Sequence, residues 1–143
     1  MSNSGVRLPS VEMLGACARL MRLDKPIGSL LLLAPTLWAL WVAGQGRPDP
    51  VLASIIIVGV FVTRSVGCVI NDIADRDIDG HVKRSRQRPL VAGDIGLSGA
   101  IGLAVALGLV AFGLLMMLPR SAWGWATFAV LVTFIYPRVK RFF

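Results

Sequence analysis

Residues 51–70, VLASIIIVGVFVTRSVGCVI, form an apolar run that a single charge, Arg64, interrupts. A helix needs about 20 apolar residues to cross the hydrocarbon of a bilayer. In a soluble fold the same run would need apolar cover on every side. Three further stretches share its character: 27–43, 97–118 and 121–136. The first lies at the lower length limit and carries Pro35, which would kink it, and the last is short for a span. The expected fold is all-α, a multi-pass transmembrane bundle of about four membrane helices. Composition agrees, because 55% of the 143 residues are hydrophobic, 16% are charged, and mean hydropathy is +0.71. So little charge is uncommon in a soluble domain.

The net charge of +7 is explained by where the cations fall. Arg7, Arg19, Arg22 and Lys25 precede the first apolar segment. Arg76, Lys83, Arg84, Arg86 and Arg88 follow the second, and Arg138, Lys140 and Arg141 follow the fourth. The two other connections hold one cation each, Arg47 and Arg120. Cytoplasmic loops carry the excess of Lys and Arg, so both termini and the 71–96 loop are expected in the cytoplasm. Trp38, Trp41, Trp123 and Trp125 then lie near the outer interface, as an aromatic belt does. The basic excess is topological, and no nucleic-acid partner is expected. Residues 1–26 read as a cytoplasmic amphipathic segment, with Ser10 as N-cap, Val11, Leu14, Ala18 and Met21 on one stripe, and residues 27–143 as the membrane domain. Cys17 and Cys68 have no metal-like spacing and read as small apolar residues.

Four of the eight acids, Asp72, Asp75, Asp77 and Asp79, fall within residues 72–79. If the second segment stays helical through Asp79, then relative to Asn71 Asp75 lies near 40°, Asp79 near 80° and Asp72 near 100° (about 100° per residue). Asp77 points the other way. Like charges at this spacing repel, so the cluster requires a cation. Oxygen ligands of this kind suit Mg²⁺, which takes one or two carboxylates and leaves its other positions to water and phosphate. Asp79 lies about 12 Å along the axis from Asn71, too far for the same inner sphere.

An acidic helix end that pairs with the cations of KRSRQR is the plainer alternative. Arg64 argues against it, for it lies on nearly the same face as Asn71 and about 10 Å deeper. An arginine at that depth marks a polar cavity or a bound anion. His81, Lys83, Arg84, Arg86 and Arg88 then follow the aspartates closely, and a diphosphate held through Mg²⁺ would also want direct Arg or Lys contacts. His81 reads as a solvated loop residue.

NDIADRDID at 71–79 resembles the N-D-x-x-D-x-x-x-D motif of the membrane-embedded aromatic prenyltransferases, in their 4-hydroxybenzoate polyprenyltransferase branch. RLMRLDKPIGSLLLLAPTLWALW (19–41), GCVINDIADRDIDGHVKRSRQRPL (67–90) and YPRVKR (136–141) carry the same resemblance. It implies a helical bundle that binds a polyprenyl diphosphate through Mg²⁺ and transfers the prenyl group to the ring of 4-hydroxybenzoate, a step in ubiquinone biosynthesis. It further implies a bacterial inner-membrane protein. By position, Asn71, Asp75 and Asp79, with Asp72 ranked lower, would hold the metal. Lys83, Arg84, Lys140 and Arg141 would contact the diphosphate. Arg22, in the R-L-D-K-P block, would lie near the cavity mouth and the aromatic acid. Arg64, by its depth and face rather than by the resemblance, would bind the benzoate carboxylate or orient the motif, and Asp75, Asp79 and Arg64 are the catalytic candidates.

The family's second aspartate-rich motif has no counterpart, because no Asp or Glu follows Asp94. The expectation is therefore an incomplete site, completed by a C-terminal half or a second copy. The rival reading is a non-catalytic four-helix membrane fragment or accessory protein.

Overall fold

The computed structural model describes residues 10–79, 95–140 and 142, with only the backbone described for Ser10 and for 77–79. Five helices and no strand occur among the described residues: α1 Ser10–Leu20, α2 Ile27–Ala43, α3 Pro50–Asp79, α4 Leu97–Met116 and α5 Ser121–Val139. The all-helical expectation holds.

The chain punctuates these helices with local chemistry. Asp49 caps α3, its Oδ1 accepting the Val51 and Leu52 N–H groups at 2.8 and 2.9 Å. Pro50 follows as the first helical residue, where a missing N–H is harmless. The α1 and α2 ends both close with paired back-bonds. After α1, Leu23 N–H reaches Ala18 O and Arg22 N–H reaches Arg19 O, both at 3.0 Å. After α2, Gly46 N–H bonds Trp41 O at 2.9 Å and Gln45 N–H bonds Val42 O at 3.1 Å. Each closure needs a left-handed residue, and here these are Arg22 (φ 56°) and Gln45 (φ 49°) in place of the usual glycine.

α3 is the hub of the fold. Unbroken for 30 residues, it is about 45 Å long and touches each of the other four helices, most extensively α4. The buried core is small and lies at the α3–α1–α4 contact: Ala16, Leu20, Val69, Ile95 and Ala100. Ala16 and Ala100, 1% and 0% exposed, allow the backbones to approach closely. Ala100→Leu should therefore overpack the α3–α4 seam and cost about 1–3 kcal/mol, read as a lower thermal midpoint in detergent. An unchanged midpoint would mean that the seam has slack.

The outer surfaces are apolar. Leu31, Trp38, Leu109, Phe112 and Phe128 are all more than half exposed. Only 17% of the apolar stretch of α3 and 6% of that of α4 are buried, the reverse of core helices in a soluble fold. Such surfaces need lipid or further protein against them, and the chain is a membrane protein.

Among the described residues two helices, Pro50–Arg76 and Leu97–Met116, are clearly long and apolar enough to cross a membrane. α2, with 17 residues, lies at the lower length limit, as expected. α5, at 19 residues, interrupts its apolar face with Trp123, Trp125, Tyr136, Pro137 and Arg138. In α1, the face that packs inward is Ala16 and Leu20, with Cys17 and Met21 beside them. The Val11–Leu14 part of the expected stripe is exposed, because the α3 contact selects the small residue at 16.

Candidate functional site

α3 delivers the site, and the helical backbone does continue to Asp79. Asn71, Asp75 and Asp79 therefore share a helix face, as their spacing implies. α5 runs parallel to α3 along that face and supplies the opposite wall. Between them lies a cavity of about 430 Å³, lined by Arg22, Arg64, Gly67, Cys68, Asn71, Val132, Thr133, Tyr136, Pro137 and Lys140. A second cavity of about 370 Å³ continues between α2 and α3, past Leu32, Thr36, Val60 and Thr63. Arg64, Gly67 and Thr133 line both. Apolar segments alone would leave such a channel dry and unfilled. Here it carries hydroxyls, an amide and cations.

The carboxylates at its end are buried and paired. Asp75 is 5% exposed, and Lys140 Nζ donates to its Oδ2 at 2.6 Å. Asp72 is 3% exposed, with Arg22 Nη2 3.3 Å from its Oδ1. Lys140 is half exposed, so the net worth of its bridge is modest. Its consequence is directional, because it links the C-terminal end of α5 to the carboxylate turn of α3. Arg22 reaches Asp72 from a backbone conformation that costs a non-glycine residue roughly 1–2 kcal/mol. The strain fixes a guanidinium beside the carboxylates.

Asn71 Oδ1 is the exception. It is buried beside the cavity, and alone among buried side-chain polar atoms of the described residues it lacks a hydrogen-bond partner. An orphaned acceptor at that position costs about 1–3 kcal/mol unless something donates or coordinates to it. Nearby, Pro137 has no N–H to offer the Thr133 carbonyl one turn earlier, which leaves a second acceptor at the cavity wall. Deeper along α3, Arg64 makes no hydrogen bond or ion pair among the described residues. A cation without an anion thus lies about two turns from an acceptor without a donor.

No three His, Cys, Asp or Glu side chains converge among the described residues. The oxygen set still fits a hard cation that keeps most of its shell for water and phosphate, namely an amide oxygen with an open valence and a carboxylate one turn along. Lys83, Arg84 and Arg141 and the side chain of Asp79, all singled out from the sequence, lie outside the described residues. Of the others, Asn71, Arg64, Arg22 and Lys140 come together at the cavity. Asp75 joins them through Lys140, and Asp72 through Arg22. Sequence reasoning missed Tyr136, Thr133 and Gly67. Tyr136 and Lys140 are spaced by one turn, as are Thr133 and Pro137, and that shared face was the available signal.

A helical membrane protein whose longest helix ends in an Asn–Asp turn, facing a cation-rimmed cavity, belongs to a narrow class. The chain matches the pattern of the UbiA prenyltransferase family over residues 32–143 and belongs to that family. It is similar to proteins named 4-hydroxybenzoate octaprenyltransferase. The Ralstonia nicotianae protein is 54% identical over 126 residues, 88% of this chain and 43% of the relative. That of Cupriavidus necator is 52% identical over 133 residues, 93% and 47%, and that of Legionella pneumophila 52% over 128 residues, 90% and 45%. The chain thus spans under half the length of the curated relatives it matches. No solved structure is detectably similar.

Proposed function

We propose that this chain supplies the first half of the active site of a 4-hydroxybenzoate polyprenyltransferase, the part that holds Mg²⁺ and the diphosphate of a polyprenyl donor. The observation that carries the reading is the unsatisfied Asn71 Oδ1 at the cavity, one turn from a buried carboxylate that Lys140 holds in place. Asn71 and Asp75, with Asp79 and Asp72 as the outer acids, are the metal-holding group. When bound, Mg²⁺ would neutralise the diphosphate and favour its departure as an anion. Lys140, with Lys83, Arg84 and Arg141, meets phosphate oxygens directly. Arg64, and Arg22 at the cavity mouth, meet the carboxylate of 4-hydroxybenzoate. The apolar walls exclude water from the allylic carbon. There the ring carbon beside the hydroxyl forms the new C–C bond, and the C–O electron pair leaves with the diphosphate. The ring gives up the proton at that carbon, with the departing diphosphate as the available base.

On this reading the protein is a multi-pass enzyme of a bacterial inner membrane, with both termini cytoplasmic and residues 1–26 at the membrane surface, acting in ubiquinone biosynthesis. It works with a further polypeptide segment, either the rest of a longer protein or a second copy. The test is prenyl transfer in nanodiscs, read by product mass, with Mg²⁺, a polyprenyl diphosphate and 4-hydroxybenzoate. The chain is assayed alone and with the C-terminal half of the Ralstonia relative. Product that requires Mg²⁺ in either assay supports the reading. No product in both would leave a non-catalytic membrane protein.

A further inference from the structure

Gly28 lies in the first turn of α2, where a glycine has no turn to make and weakens the helix relative to alanine. Its neighbour explains it. A methyl group built on Gly28 would lie 2.6 Å from Arg64 Nη2, 3.1 Å from Nε and 3.2 Å from Cζ. All three atoms belong to the flat guanidinium, so the arginine head rests on the bare backbone of α2. Contact at that distance admits no side chain without moving the head.

Arg64 is where the two cavities meet, and no described group pairs with it. A long side chain in an open cavity would sample many rotamers, and fixing it for a ligand would cost entropy at each binding event. The bare backbone at Gly28 makes room for one such placement, with the guanidinium lying against α2. The α2 end offers no acidic side chain in its first turn and no side-chain cap, so nothing there competes for the guanidinium. Its positive end reinforces the charge of Arg64.

We infer that Gly28 is a positioning residue that seats the Arg64 guanidinium at the junction of the two cavities, as a fixed anchor for a small carboxylate. The carboxylate's identity as that of 4-hydroxybenzoate rests on the function proposed above. The seating itself does not.

The test is a thermal double-mutant cycle on the full chain in detergent, with Gly28→Ala made in the wild-type and Arg64→Ala backgrounds. A helical Gly→Ala change normally stabilises. The seating predicts that Gly28→Ala raises the midpoint less while Arg64 is present, because the guanidinium must shift to make room, than it does once Arg64 is gone. Equal shifts in the two backgrounds, zero included, would overturn the inference. In parallel, 4-hydroxybenzoate binding should weaken by about tenfold in Gly28→Ala, with no further loss from adding it to Arg64→Ala, since the two act as one unit. Full additivity in binding would also overturn it. If wild type binds no 4-hydroxybenzoate, the proposed substrate falls, and the thermal cycle still decides the seating.

Discussion

Asp75→Asn should lower prenyl transfer by the assembled enzyme about 10²–10³-fold, the range for losing one preorganised charge-stabilising group. The substitution keeps the shape of the side chain and a hydrogen-bonding oxygen toward Lys140, so the fold has little reason to change. What disappears is the negative charge that would hold the metal one turn from Asn71. The loss should appear in kcat and in kcat/KM together, because the charge matters most as the diphosphate leaves. Raising Mg²⁺ should recover part of the activity if the metal site is weakened rather than destroyed. A loss below about tenfold, with Mg²⁺ dependence unchanged, would remove Asp75 from the reacting site.

Arg64→Ala should raise the KM for 4-hydroxybenzoate about 10–100-fold, the worth of a charge-assisted hydrogen bond to a carboxylate. The KM for the polyprenyl diphosphate should change far less. Arg64 lies some two turns deeper than Asn71, at about 1.5 Å of rise per residue, beyond the reach of a phosphate held at the carboxylate end. A benzoate analogue that lacks the carboxylate should lose its discrimination between wild type and variant. Equal effects on both substrates would show that Arg64 orients the Asp turn instead of reading the acid.

Much of this was legible in the sequence because one helix carries it. The apolar run, its continuation to Asp79 and the shared face of Asn71, Asp75 and Asp79 all follow from helical period within a single segment. The parallel α5 wall was legible only in part. Lys140 could be placed near the diphosphate by resemblance, yet its bond to Asp75 spans 65 positions, which no local period encodes. Asp72 was ranked behind its neighbours in the motif. It is buried and paired with Arg22, whose unusual φ sequence propensities do not anticipate. Gly28 gave even less warning, for a glycine in a helix is ordinarily read as a small loss and nothing more.

The uninterrupted course of α3 from Arg64 to Asp75 has a consequence for how such a site can vary. No loop lies between the Arg64 guanidinium and the carboxylate end, so nothing can absorb a change in chain length. Deleting one residue between them would swing every later group by about 100°, sending Asn71 and Asp75 into the α1 or lipid side while composition stays almost the same. The interval behaves as a ruler whose marks are helical turns. Its letters can drift within apolar chemistry, but its length is bound to the roughly two turns that separate Arg64 from Asn71 along one cavity.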